Sequence, residues 1–134
     1  MSAALFWTYI STHSYETQVK KVIRCLDLTE YAYQKLKQLE KDINMNLWVT
    51  RSHKLALTVH FRKPNDDIVF KYTLSNENLL IDGQEERAYS HIYSMEHVTE
   101  AKLDEMIADL RKPGAFPPQD THATARTMQD CMAR

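Results

Sequence analysis

The spacing of apolar side chains in this 134-residue chain changes near residue 45, and this change constrains the fold more than any other feature. Before it, apolar residues recur every three or four positions over 15–44, as they do on one face of a helix. After it, they alternate with polar residues over 55–63 and again over 67–74, which is typical of half-buried strands. We therefore expect helices in the first part of the chain and an antiparallel sheet in the second.

Two features of the first part of the chain need interpretation: an apolar segment at 3–10 and a phase shift within 15–44. The apolar segment 3–10 is rich in aromatic and β-branched residues, which predicts a short strand ahead of the helices. Within 15–44 the apolar stripe shifts its phase, and Asp27 offers a helix N-cap at that point. The segment is therefore one long helix or two helices, and we expect a break near Asp27.

The two alternating segments are separated by residues that favour a tight turn. The sequence PNDD at 64–67 contains a proline that presets the turn and side chains that bond their own backbone. We therefore predict a β-hairpin that pairs 55–63 with 67–74. Phe61 and Phe70 would both point from this hairpin into the core.

A further strand and a helix are expected to complete the fold. The Asp-Gly pair at 82–83 is a turn signal before the alternating segment 86–95, and helical spacing resumes after Thr99, a candidate N-cap. The fold class that follows is α+β: an N-terminal strand, then helices, an antiparallel meander sheet of about four to five strands with the helices packed on one face, and a C-terminal helix. We expect one domain over 1–112 and a Pro-containing tail over 113–134 that is disordered or docked on a partner.

One arginine, two tyrosines and one histidine occupy every second position of the segment 87–93 and so share one face of the expected strand. Such a face could stack nucleobases, or it could belong to the core of a small sheet. On the outer face it would join His60, Arg62 and Lys71. Because Ile92 is the only large apolar side chain on the other face, we expect this stripe to point inward or half-inward. The stripe consists of Arg87, Tyr89, His91 and Tyr93, and these four residues are also the candidate stacking face.

Charge is divided unevenly along the chain. Residues 1–63 carry ten Lys and Arg against five Asp and Glu, a net charge of +5, whereas residues 64–134 carry seven against thirteen, a net charge of −6. The two halves could face each other within one fold, or the first could present a basic face to a partner. The candidate partner-binding residues are basic side chains of the first helices and the two tryptophans: Lys20, Lys21, Arg24, Lys37, Lys41, Trp7 and Trp48.

No motif in the sequence indicates a catalytic, cofactor-binding or metal-binding residue, and we predict none. The two glycines leave no glycine-rich phosphate loop, and the spacing of His91 and His97 matches no zinc motif. Cys25 and Cys131 form no disulfide framework, which predicts an intracellular protein, with the cytoplasm as its compartment. No apolar run approaches the length of a membrane span, so no membrane partner is expected.

The function predicted from these observations is that of a non-catalytic protein-binding module, such as an accessory subunit, adaptor, chaperone or inhibitor. Its partner would be another protein or a second copy of the chain in a homo-oligomer. A second interpretation is an RNA- or single-stranded-DNA-binding module that uses the basic helices and the face of Tyr89 and Tyr93. A third is an enzyme whose site is assembled from scattered residues.

Overall fold

The structure, a computed structural model, describes residues 2–118. The strands form one antiparallel sheet in the order β1-β3-β2, so that the last strand of the sequence lies in the middle. No helix within the described residues is both long and apolar enough to cross a membrane. In chain order the elements are α1, Ala3–Thr12; α2, Tyr15–Asp42; β1, Thr58–Arg62; α3, Asp66–Tyr72; β2, Ser75–Ile81; β3, Glu85–Tyr93; and α4, Glu100–Leu110.

The strand expected at 3–10 is wrong, because this segment forms helix α1. Ser2 caps the helix, and its hydroxyl accepts a hydrogen bond from the Leu5 amide at 3.3 Å. The aromatic and β-branched residues that favoured a strand do so chiefly by packing against neighbouring strands. Within residues 2–118 the sheet has three strands, and none of them pairs with this segment. No residue of α1 is buried.

Helix α2 runs without interruption from Tyr15 to Asp42, so the break expected near Asp27 is also wrong. Ser14 caps its N-terminus, and Glu16 lies in the first turn, where the helix dipole favours an acid. The 28 residues span about 42 Å. Its buried side chains begin at Cys25, so the first ten residues of the helix contribute none to the core.

The predicted β-hairpin is wrong because its second arm, 67–74, is mostly helical. The turn chemistry begins helix α3: the Asn65 side chain accepts a hydrogen bond from the Ile68 amide at 3.0 Å, and two aspartates occupy the first turn. Ile68 and Tyr72 lie four residues apart on one face of the helix and reach the core. Phe70, on the opposite face, is 88% exposed.

The predicted α+β architecture is therefore wrong in the number of strands, the element at the N-terminus and the connections of the sheet. Three strands are present in the described residues instead of four to five, and they do not form a meander. The central strand β3 places Ile92 opposite Val59 of β1 and Tyr89 opposite Glu77 of β2. The predicted cap of the last helix is confirmed, because the Thr99 side chain accepts a hydrogen bond from the Lys102 amide.

The core lies between one face of the sheet and the helices. Val59, Phe61 and Ile92 belong to it from the sheet side. Helices α2 and α4 add a set of fully or almost fully buried side chains: Leu28, Ala32, Leu36, Leu39, Leu103, Met106, Ile107 and Leu110.

The segment after α4 also packs against the described part of the chain. Ala115 and Phe116 are buried, and the backbone N–H of Asn65 donates a hydrogen bond to the Ala115 carbonyl at 2.7 Å. Residues 119–134, which make up most of the predicted tail, lie outside the described residues.

A polar network joins α3 to α4 through the carboxylate of Asp109. It accepts hydrogen bonds from the Tyr72 hydroxyl at 2.6 Å and from the ammonium groups of Lys71 and Lys112 at 2.7 and 2.6 Å. The Asp109 side chain is 13% exposed. Because these donors, Lys112 first, stabilise the charged carboxylate, the pKa of Asp109 lies well below its usual value.

Phe61→Ala should lower the free energy of unfolding by about 3–5 kcal/mol, because it leaves a cavity in a fully buried part of the core. Phe70→Ala is the matched control and should change it by less than about 0.5 kcal/mol, since that ring is exposed. Urea melts of the two variants measure both values. Equal losses would contradict the helical assignment of α3.

Asp109→Asn should lower the free energy of unfolding at pH 7, and its effect should shrink in acid. The folded-state pKa lies below the unfolded value of about 3.9, so the carboxylate stabilises the fold fully above about pH 5. This contribution is lost as the pH falls from about 4 towards the folded-state pKa. Urea melts at pH 7 and pH 3 measure the change, with exposed Asp27→Asn as the control. An effect of equal size at both pH values would show that charge is not its cause.

Candidate functional site

The stripe of β3, expected to point inward or half-inward, lies on the sheet face opposite the core, so the fully inward orientation is wrong. Ile92 belongs to the core, and the alternation of a strand places Arg87, Tyr89, His91 and Tyr93 on the other side. Even so, Tyr89 is 6% exposed and His91 is 9% exposed. This outer face is therefore partly covered by other groups of the chain.

Trp48 covers one end of the stripe. Its ring lies 5.7 Å from the Tyr89 ring, and the guanidinium groups of Arg62 and Arg87 lie 5.3 and 4.7 Å from its centre. The Trp48 backbone has a φ of 52°, in the left-handed region that bulky residues rarely adopt. The ring contacts hold the residue in this unfavourable conformation. The structure thus brings together three predicted site residues, Trp48, Arg87 and Tyr89.

Three side chains from three different strands meet further along the same face. His60 of β1 stands opposite His91 of β3, and their ring centres are 4.3 Å apart in an edge-to-face arrangement. Glu77 of β2 approaches both rings: its Oε1 lies 3.1 Å from His91 Nε2 and 3.7 Å from His60 Nε2. One nitrogen or oxygen atom from each residue lies within 4.8 Å of the other two. We call these three residues the histidine–glutamate cluster.

Burial favours the neutral form of His60. Desolvation, and then the nearby His91, lower the pKa of His60, while Glu77 opposes them. His60 is therefore neutral at pH 7 and keeps an imidazole lone pair. His91 Nε2 is buried and close to Glu77, but the contact does not have the angles of a hydrogen bond.

A pocket of about 430 Å³ opens beside the cluster, between the end of β3 and the helices α3 and α4. This volume is within the range of small-molecule sites. The pocket shares His91 with the cluster, and the Tyr93 hydroxyl in its wall lies 3.4 Å from His91 Nδ1. Apolar side chains form much of its lining, among them Ile92, Leu103 and Met106. The polar groups at its rim are His97, Lys71 and Lys102.

The predicted basic residues of α2 do not form one site. Lys20 and Lys41 are separated by about 31 Å along the helix. Arg24 and Lys41 are exposed. Trp7 belongs to helix α1 and is 71% exposed, whereas Trp48 lies in the loop before β1. Three of the lysines each lie beside an acid: Lys20 by Glu16, Lys21 by Glu96 and Lys37 by Glu40.

The histidine–glutamate cluster was missed in the sequence because its members meet only through strand pairing. His60 and His91 each occupy an outward position of an alternating segment, and the outer-face alternative did place them together. Glu77, in contrast, lies in the polar sequence SNEN, which resembles a turn but begins β2. The order β1-β3-β2 was not predictable from these local patterns.

The sequence is similar to histidine decarboxylases. Over 110 residues the chain is 30% identical to the enzyme of Vibrio anguillarum and, over the same length, 30% identical to that of Vibrio campbellii. The match covers 81% of this chain and 24% of each enzyme. No protein-family model matches the chain.

The fold is similar to part of another decarboxylase. The crystal structure of L-methionine decarboxylase from Streptomyces sp. 590 in its internal aldimine form superposes with a TM-score of 0.77 and 33% sequence identity, over 85% of this chain and 23% of that chain. The external aldimine form of the same enzyme, complexed with L-methionine methyl ester, gives a TM-score of 0.75 and 34% identity. The chain thus spans about a quarter of the length of the relatives it matches.

These similarities correct the functional predictions made from the sequence. The expectation of a non-catalytic protein-binding module or accessory subunit is wrong, as is the prediction that the protein is not an enzyme. Its relatives in sequence and in structure are decarboxylases. The third interpretation, an enzyme without a recognisable motif, lies nearest to this result.

Trp48→Ala should lower the free energy of unfolding by about 1–3 kcal/mol, because it removes a half-buried ring and its cation–π contacts. It should also expose Tyr89 to solvent. Trp7→Ala is the control, since Trp7 lies on α1 with most of its surface exposed. Denaturant melts measure the stabilities, and a loss no larger for Trp48 than for Trp7 would contradict the structural role of Trp48.

Proposed function

We propose that this chain forms one domain of a pyridoxal-dependent amino-acid decarboxylase. The observation that carries the proposal is the agreement between two likenesses: 30% identity to histidine decarboxylases, and a TM-score of 0.77 with 33% identity to L-methionine decarboxylase. At this level of identity, a shared fold and a shared ancestral activity are a better explanation than a recurring structural motif alone. We further propose an L-amino acid as the substrate and the cytoplasm as the compartment.

The residues of this chain do not fit the anchoring of the cofactor. Pyridoxal enzymes attach their cofactor to a lysine, and a reactive lysine needs a lowered pKa. All ten lysines of the chain lie in residues 2–118, and none of them is buried. Lys71, in the wall of the pocket, is paired with Asp109 and then Glu105, which raise its pKa. We therefore assign the anchoring lysine to the portion of a decarboxylase that this chain does not match, and derive no chemical step from these residues.

The contribution that this chain can make is a wall that shapes and dries a small-molecule site. The pocket beside β3 has a lining of Ile92, Leu103 and Met106, which excludes water from one side. Lys102 and His97 stand exposed at its rim, where their nitrogens can bind the carboxylate or another polar group of an amino acid. These features fit a substrate with one apolar and one charged end.

An exposed apolar surface supports placement of the chain within a larger assembly. Soluble domains rarely leave a contiguous patch of large apolar side chains uncovered. Helix α1 exposes such a patch and buries none of its residues. We propose that the remainder of the decarboxylase fold packs here. The patch consists of Leu5, Phe6, Trp7, Tyr9 and Ile10.

The proposal predicts that this chain can replace the superposed segment of the Streptomyces L-methionine decarboxylase. The chimera should fold, retain pyridoxal phosphate and release CO₂ from L-methionine or L-histidine. We expect its rate to be within about 10²-fold of the parent enzyme, because a misplacement of about 1 Å costs that much. Cofactor absorbance and release of labelled CO₂ measure the two properties.

Two controls define this experiment. The parent enzyme without the segment should lose activity, and this chain alone with pyridoxal phosphate should release no CO₂, since it provides no anchoring lysine. A chimera that folds and retains the cofactor but decarboxylates neither amino acid would contradict the proposal.

A further inference from the structure

The histidine–glutamate cluster has the dimensions of a metal site. Around a tetrahedral Zn²⁺ with bonds of about 2.0–2.2 Å, two ligand atoms lie about 3.3–3.6 Å apart. The separations of Glu77 Oε1 from His91 Nε2 and from His60 Nε2, 3.1 and 3.7 Å, fall on either side of this range. All three atoms lie within 4.8 Å of one another.

One buried nitrogen of the cluster, His91 Nε2, has no hydrogen-bond partner among the described residues. A carboxylate oxygen of Glu77 nevertheless lies 3.1 Å away from it. A protonated nitrogen would need this oxygen in line with its N–H, and an unprotonated nitrogen presents its lone pair to a negative charge. A cation between the two atoms removes the repulsion and uses the lone pair.

The second ring nitrogen of His91 is compatible with a metal at Nε2. The Tyr93 hydroxyl oxygen lies 3.4 Å from His91 Nδ1. When Nδ1 donates to this oxygen, the lone pair of Nε2 is available to a metal, which is the arrangement that outer contacts impose on metal-binding histidines.

We propose that His60, Glu77 and His91 form a binding site for a divalent transition metal, with Zn²⁺ as the ion that the site suits best. Two imidazoles and one carboxylate are borderline and hard donors of the kind that zinc accepts. Three protein ligands leave a fourth position for water, as in an open zinc site. The ion would cross-link all three strands at the edge of the pocket, because His91 belongs to both. This proposal does not rest on the decarboxylase assignment.

Zinc titration of the full chain tests the site. Calorimetry, with a chromophoric chelator as competitor, should find a Zn²⁺ ion bound with a dissociation constant in the micromolar range or tighter. Glu77→Gln keeps the shape of the side chain and should weaken this binding at least tenfold, as should His60→Asn. Zn²⁺ should raise the melting temperature of the wild type more than that of either variant.

Matched variants separate this site from other zinc donors of the chain. His97→Asn removes an exposed histidine of the pocket rim, and His122→Asn with Cys131→Ser removes donors that lie outside the described residues. Both proteins should bind Zn²⁺ as the wild type does. Melts without metal establish that each variant is folded, and the isosteric Glu77→Gln decides the result if His60→Asn is unfolded.

Unchanged zinc affinity in Glu77→Gln, or loss of binding in the His122 and Cys131 double variant, would overturn the proposal. The measurement needs no cofactor and no turnover. An inactive decarboxylase chimera therefore leaves it intact, and absence of zinc binding leaves the decarboxylase proposal intact.

Discussion

The hydrogen-bonded register of β3 between β1 and β2 is the constraint on which the rest of the structure depends. It places Ile92 opposite Val59 on the core side and His91 opposite His60 on the other side. A slip by one residue would exchange the two faces, because side chains alternate along a strand. The apolar core and the histidine–glutamate cluster are therefore fixed by the same set of backbone hydrogen bonds. Selection for a stable core maintains the geometry of the polar face as well.

The sequence predicted those elements whose pattern and end signals agree. The segment expected as a strand at 86–95 is close to β3, Glu85–Tyr93, and Thr99 caps the helix that follows. Prediction from the sequence failed where short apolar segments were assigned to strands by residue propensity, because both segments form helices, α1 and α3. In each case a polar side chain at the N-terminus, Ser2 or Asn65, stabilises the first turn, and a local cap outweighs a weak preference for strand.

The site and the function were less accessible, for a different physical reason. A cluster built from three strands can be predicted only when the order of the strands is known. The order β1-β3-β2 depends on long-range packing that no local pattern encodes. No motif for a cofactor or a catalytic residue is visible in the sequence, and Lys71, which lines the pocket, is paired with Asp109. The absence of such a motif led to the wrong functional prediction.

Helix α1 has ten residues and buries none of them, and this has a thermodynamic consequence. A helix of this length is marginal in water by itself, because the cost of nucleation is spread over few hydrogen bonds. In the proposed assembly its helical population would be coupled to the surface that covers its apolar side, so that ordering and docking would form a single cooperative event. The free energy of ordering would be subtracted from the free energy of docking, and the heat capacity change of docking would include the folding of the helix. Assembly through this segment would therefore be more sensitive to temperature than the area of the contact alone suggests.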